Sequence, residues 1–382
     1  MSGSTTGEIP RVLLIGAGDL TIRLGHLLAS AEPETRIVLA SRSLERATRF
    51  ANLTKLAAGN LGHAREVEAV ALDLADVDRT AEELRRIRPT VIFLGASIQA
   101  ARAIMDLPEE LFRRLDEAQL GPWLPMHLTL AHELMQAVRL AESEAVVVNG
   151  AYPDAVGPAL ATIGLAPDVG IGNIGNIVPG ITWAAAEELG VSPAEVGVKA
   201  VGHHYFSHHV HRFGEARGIP HLLDVRVGGT KAEIDTGAAY ARLAGGLRRQ
   251  GGKEGQQLTA TSAARLLLAL LSHGESSLHA PAPGGMVGGY PVRVSSHGVR
   301  LDLPPGIDPS AAEAVNRQCQ RLDGIERVAA NGTVHFTDER MAVMRDMLGY
   351  HCSELKVTEA RAAATELAGR YDAFLRRHGL GA

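Results

Sequence analysis

The chain has 382 residues, 46% of them hydrophobic, enough for two hydrophobic cores without metal or disulfide support. A formal net charge of -5 argues against nucleic acid as a partner, and no uninterrupted apolar run approaches the roughly 18 residues of a membrane-spanning helix. The two cysteines, Cys319 and Cys352, lack metal-site spacing, and the opening MSGSTTGEIP lacks the basic and apolar regions of a secretion signal, so a cytoplasmic setting is expected.

RVLLIGAGDLTIRLGHLLAS reads as a buried strand over Val12 to Ile15, a glycine turn, and an amphipathic helix through Leu28. Gly16 and Gly18 let the backbone approach a pyrophosphate, and the helix that opens at Asp19 and Leu20 offers its free N–H groups to it. The third glycine of the dinucleotide fingerprint is missing, and Gly25 is expected to ease packing of the helix on the sheet. The second strand, TRIVLASRS, ends near Ala40. Where a carboxylate commonly meets the ribose of NAD, this chain has Ser41, Arg42 and Ser43, with Arg46 on the helix beyond. A guanidinium with two hydroxyl donors suits a 2′-phosphate, so the tip predicts NADP.

VEAVALDL gives a third strand with Asp73 near the adenine edge, and VDRTAEELRRI a helix. TVIFLGAS gives a fourth strand whose end, Gly95, Ala96 and Ser97, faces the nicotinamide side. The segment from Leu107 to Pro125 reads as a long connection able to cover a substrate, with Trp123 in it and His127 just beyond. A helix and the strand EAVVVNG follow. This alternation predicts an α/β fold: a Rossmann-type parallel sheet domain over residues 1–150, then an α+β substrate and oligomerisation domain over 151–382. Asn149 ends the last strand, where ligands sit in open sheets, and can orient a cofactor carboxamide or a substrate oxygen, or simply form an Asn-Gly turn. Tyr152, Pro153 and Asp154 follow it, and Asp154 is a catalytic candidate.

Asn173 and Asn176 lie in a Gly/Asn-rich stretch ahead of a helix predicted from about Pro179 to Leu189. The strand VGVKAVG then delivers five histidines in VGHHYFSHHVHRFG: His203, His204, His208, His209 and His211. Read as a continuing strand, His203 and His204 face opposite ways, and no paired metal-ligand spacing appears, so no metal is expected. One histidine acting as general acid/base fits hydride chemistry, because each hydride moved to or from a C–O or C–N centre needs a matching proton. Further on, HLLDVRVGG is a strand with Asp224 and Arg226 on one face, and residues 231–250 form a helix. Another helix is capped by Thr259 or Thr261, and the next opens at Thr337 or Asp338. The last, over VTEARAAATELAGRYDAFLRRHG, is amphipathic. Lys231 and Arg212 are candidate partners for a substrate carboxylate, weighed against ordinary surface charges.

From Asn149 through GIGNIGNIVPGITWAAAEELGVSPAEVGVKAVGHH, the chain resembles the superfamily that unites lactate and malate dehydrogenases with family 4 glycosidases. PAPGGMVGGYPVRV resembles the strand after the long helix of those enzymes, and the tip ASRS resembles the NADP-binding domains of saccharopine-like dehydrogenases. The resemblance implies that His204, with His203 beside it, is the family histidine, and that the protein is a homo-oligomer. The family's Asp and Arg correspond to Ile177 and Gly180 here, so its Asp–His pair is not expected in that form. The expectation is an NADP-dependent oxidoreductase acting on a polar small metabolite. Alternatives are a lyase or hydrolase of the family 4 glycosidase type, using the dinucleotide transiently, and a non-enzymatic NADP sensor.

Overall fold

The computed structural model describes residues 9–380. Its first strands and helices are β1 (Arg11–Ile15), α1 (Asp19–Ala29), β2 (Arg36–Ser41), α2 (Leu44–Asn60), β3 (Val67–Ala71), α3 (Val77–Ile87) and β4 (Val91–Leu94). They continue with α4 (Glu109–Asp116), α5 (Leu124–Leu140), β5 (Val146–Asn149), α6 (Pro153–Ala161) and β6 (Val169–Gly170). The six strands form one parallel sheet in the order β3-β2-β1-β4-β5-β6. Residues 12–15 and 91–94 are buried throughout, as central strands covered by helices on both faces must be. The strand order reverses between β1 and β4, which opens a crevice beyond their carboxyl ends.

The second half contains α7 (Ile174–Leu189), β7 (Val196–Val201), α8 (His204–Phe213), β8 (Leu222–Val227), β9 (Thr230–Ala232), α9 (Thr236–Ala244) and α10 (Gln256–Leu271). After these come β10 (Ser276–Pro281), β11 (Gly289–Ser295), β12 (Gly298–Leu301), α11 (Pro309–Leu322), β13 (Ile325–Val328) and β14 (Thr333–Phe336). The chain closes with α12 (Asp338–Leu348), β15 (Glu354–Lys356) and α13 (Ala360–Arg377). Three small antiparallel sheets arise, β7-β8-β9, β10-β11-β12 and β13-β14-β15. The last helix returns to the parallel sheet and packs along α5. Among the described residues no helix is long and apolar enough to cross a membrane.

Several local expectations change. The histidines lie on a helix, not a strand. Phe206, Ser207 and Val210 are its buried face, at helical spacing, and Gly214 ends it in the left-handed conformation. The segment 107–125 is no open connection: it folds into α4 and a short turn over Gly121–Trp123 that buries Trp123. Helix α7 starts at Ile174, ahead of Pro179, because Ile174, Ile177 and Ile181 are all fully buried and their packing outweighs the hydrogen bond that proline removes. Thr259 and Thr261 lie inside α10, where the Thr261 hydroxyl donates back to the Leu258 carbonyl, so neither is a cap. Residues 230–232 pair as a strand, and the helix beyond begins only after Asp235, which caps it. A side chain at Gly25 would meet its neighbours at 3.6 Å or more, so that glycine is not required for packing. Asp224 and Arg226 do share a face of β8 and form an ion pair at 2.7 Å.

Candidate active site

A cleft of about 450 Å³ lies over the ends of β1, β2, β3 and β4. Gly16, Ala17 and Gly18 form its floor, with Ser41, Arg42, Asp73, Gly95, Ala96 and Ser97 around it. Gly16 has φ 117°, a conformation that side chains resist, and an added Cβ would press on the Gly95–Ala96 backbone at 3.1 Å. Gly18 caps α1 without a side-chain bond, and the space a Cβ would fill there is open. The first N–H groups of α1 therefore stand free beside open space, which fits the pyrophosphate of a dinucleotide. The missing third glycine has a local answer. Thr21 stands at that position, fully buried, and room is made from the other side by Gly95, whose Cβ would lie 2.2 Å from the Thr21 hydroxyl.

The remaining cofactor candidates divide into two groups. Arg42 is exposed on the rim and makes no ion pair among the described residues. Arg46 also lines the cleft and donates to the Ala17 carbonyl at 2.7 Å, tying the glycine loop to α2. Ser43 caps α2 by accepting from the Arg46 N–H. Asp19 pairs with Arg23 at 2.9 Å, which offsets an acid in the first turn of α1, and Leu20 packs on the sheet core. Asn149 is buried and closes on its own loop, accepting from the Ala151 N–H and donating to the Ala151 carbonyl. That is the geometry of an Asn-Gly turn.

The second group of side chains gathers where α8 begins. Gly202 and Gly289 exchange backbone hydrogen bonds at 3.2 and 3.0 Å, and a Cβ on either would collide, with Phe206 or Ile174. This bridge stops β7 and fixes the start of α8. His203 caps the helix, its Nδ1 accepting from the Tyr205 N–H. Asp154 is fully buried and accepts from the His204 N–H at 2.8 Å and from the Asn173 amide, so it holds the turn in place. The His204 ring is directed at Asp323, the residue that closes α11. Its Nδ1 lies 2.9 Å from Oδ2, and the Tyr152 hydroxyl donates to the same oxygen at 2.8 Å. A carboxylate can only accept, so Nδ1 carries the proton and Nε2 is left for other chemistry.

The electrostatics follow from that arrangement. Burial pulls the His204 imidazole down, but the charge of Asp323, its hydrogen bond and Asp154 outweigh it and hold the pKa above 6.5. Burial pushes the Asp323 carboxyl up, yet His204, His203 and the Tyr152 hydroxyl together keep it below the ordinary value. Tyr152 is raised by burial and by Asp323, so it remains a donor. Burial lowers His203, whose Nδ1 stands 3.7 Å from Asp323, too far for a hydrogen bond. His127 packs edge-on against Tyr152 at 6.0 Å and is lowered to about 4 by burial and by the charge of His204. It sits one helical turn before Leu130, which lines the glycine-floored cleft. His208, exposed on the outer face of α8, stacks on His204 at 5.8 Å.

The structure thus brings together His204, His203, Asp154 and Tyr152, and adds Asp323, which sequence reasoning missed. Arg212 pairs with Asp116, and Lys231 forms an exposed surface pair with Glu233. Among the described residues no group of His, Cys, Asp or Glu gathers that could hold a metal ion. The one local signal for Asp323 was an acid at the carboxyl end of a helix, where the dipole disfavours it.

A glycine-floored cleft lies at the switch point of the parallel sheet, and a buried Asp–His pair forms where α8 meets the end of α11, in a protein of the α/β class. No family model matches the chain, and a search of curated proteins finds no relative. Solved structures do match. Malate dehydrogenase from Plasmodium falciparum in complex with NADH aligns at TM-score 0.54 and 12% identity, over 82% of this chain and 100% of that one. Cryptosporidium parvum malate dehydrogenase aligns at 0.57 and 15%, over 82% and 98%. Lactate dehydrogenase from Cryptosporidium parvum, complexed with lactic acid and nicotinamide adenine dinucleotide, aligns at 0.55 and 15%, over 83% and 99%. The chain has the fold of lactate and malate dehydrogenases, as the resemblance of its central segment implied.

Proposed function

We propose that the protein is an NADP-dependent oxidoreductase that moves a hydride to or from a C–O or C–N centre of a polar small metabolite. The observation that carries this reading is the hydrogen bond between His204 and the buried Asp323, in a chain whose parallel sheet carries a glycine-floored cleft at its switch point. When bound, the nicotinamide supplies or takes up the hydride. His204 does the rest of the bookkeeping: in reduction its protonated Nε2 gives a proton to the substrate heteroatom, and in oxidation neutral Nε2 takes one back. Asp323 holds the imidazole by Nδ1 and stabilises its charged form, and Tyr152 fixes the carboxylate. Arg42 meets the 2′-phosphate, and the free N–H groups of α1 take the pyrophosphate.

The same reading takes residues 1–150 as the nucleotide domain and 151–382 as the substrate and oligomerisation domain of a cytoplasmic homo-oligomer. The test is His204→Gln. NADPH binding, followed by its fluorescence, should be unchanged, while turnover falls by roughly 100- to 10,000-fold. Turnover equal to that of the parent protein would move proton transfer to another group.

A further inference from the structure

We infer that Arg361, at the start of the C-terminal helix, forms the wall against which the adenine of the dinucleotide stacks. This rests on the dinucleotide reading above and adds a residue to it. Helix α13 is tied down by the Tyr371 hydroxyl, which donates to the Ala103 carbonyl at 3.2 Å, and by edge-on contact of Tyr371 with Trp123 at 5.6 Å. So anchored, its first turn carries Arg361 into the lining of the cleft.

Position decides which part of the ligand it meets. In a sheet of this order the pyrophosphate lies on the glycine turn and the adenosine ribose at the tip of β2, here beside Arg42. The base must then lie alongside, between the end of β3 at Leu72 and Leu74 and the opposite wall. Ile98, Leu130 and Arg361 line the same cleft from the segment after β4, from α5 and from α13.

Chemistry decides how it meets it. Glu133 is buried on α5, and its Oε1 accepts from Arg361 Nε at 2.6 Å and Nη2 at 2.5 Å. The ion pair offsets the charge of the guanidinium, so Arg361 is a poor phosphate site. Two contacts to one oxygen orient the group instead. A guanidinium oriented by Glu133 and half open to solvent in the cleft lining offers a flat face to a π-system.

The experiment measures the binding of NADPH, NADH and ADP to the full chain and to R361A and R361K. R361A should weaken all three by about tenfold, because all three carry the adenine. R361K keeps the charge and the reach to Glu133 but not the flat face, and should lose most of the same affinity. If R361A does not fold, judged by its melting temperature, R361K carries the test. Affinities like those of the parent chain in the folded variants would overturn the inference. So would weaker NADPH binding with ADP unaffected, or R361K binding as tightly as arginine. A parent chain that binds none of the three ligands would instead overturn the dinucleotide reading itself.

Discussion

His204 Nδ1 stands 2.9 Å from Oδ2 of Asp323, a residue 119 positions further along the chain and fully buried. The pair has the geometry that keeps an imidazole in one tautomer and makes its charged form more stable. Asp323 is the main group holding the His204 pKa above 6.5 against burial. Asp323→Asn should therefore move that pKa down. In the reducing direction the active form is protonated, so activity declines as pH rises through the His204 pKa. In the variant this decline should begin at a lower pH, with the maximal rate reduced by about 100-fold or more. In the oxidising direction the active form is neutral, and the acid limb should move down as well. A pH profile of kcat for both proteins decides it, and coincident profiles would remove Asp323 from the proton-transfer unit.

Tyr152 predicts a shift of opposite sign. Its hydroxyl shares Oδ2 of Asp323 with His204, and it adopts φ 44°, a left-handed conformation that costs a non-glycine residue roughly 1–3 kcal/mol. The surrounding contacts must hold it there, and its ring is clamped edge-on between His127 and His204. Tyr152→Phe keeps that packing and removes one donor from a buried carboxylate. The carboxylate becomes a stronger partner for His204, so the decline of reduction with pH should move to higher pH, while stability drops by about 1.5–3 kcal/mol. A profile moving to lower pH, or not at all, would show that the hydroxyl does not act through Asp323.

Arg42 and Arg46 line the same cleft and should behave differently. Arg42 is exposed and makes no ion pair among the described residues, so its charge is free for a 2′-phosphate. Arg42→Ala should weaken NADPH by about 10- to 100-fold and leave NADH unchanged. Arg46 is bound to the Ala17 carbonyl and steadies the glycine loop, so Arg46→Ala should weaken both. Titration of each variant with the two cofactors measures this. Equal affinities of the parent protein for NADPH and NADH would contradict the preference drawn from the β2 tip.

What could be read in the sequence was what is local. Strands β1 to β4 are short apolar runs beside glycine or helical patterns, and the loops at Gly16–Gly18 and Ser41–Ser43 sit directly on them, so the cleft was legible. His204 was singled out from its cluster by the resemblance of its segment to the dehydrogenases. The helical state of its neighbours was not legible, because a polar run of histidines carries no clear period until Phe206 and Val210 are known to be buried. Asp323 and Arg361 were illegible for another reason. Each acts through a contact with a residue more than a hundred positions away, and only the return of the C-terminal elements to the sheet brings those contacts about.

The exchange of a glycine between helix and strand gives a last prediction. The fingerprint position that is commonly glycine is Thr21 here, fully buried, and its hydroxyl has no hydrogen-bond partner. The close packing of α1 on the sheet is preserved because Gly95 gives way, a Cβ there falling 2.2 Å from the Thr21 hydroxyl and 2.8 Å from the Phe93 ring. Gly95→Ala must push α1 or Phe93 aside. It should cost about 1–3 kcal/mol of stability and weaken dinucleotide binding, since Gly95 lies in the cleft wall beside the glycine turn. Thr21→Ala on its own removes an unbonded buried hydroxyl and should change stability little. Combined with Gly95→Ala it removes the nearest clash and should restore part of both losses, with the Phe93 contact accounting for the remainder. Denaturant melts of the two single variants and the double variant give the coupling directly. Simple additivity, with no recovery in the double variant, would mean that Thr21 and Gly95 do not compete for the same space.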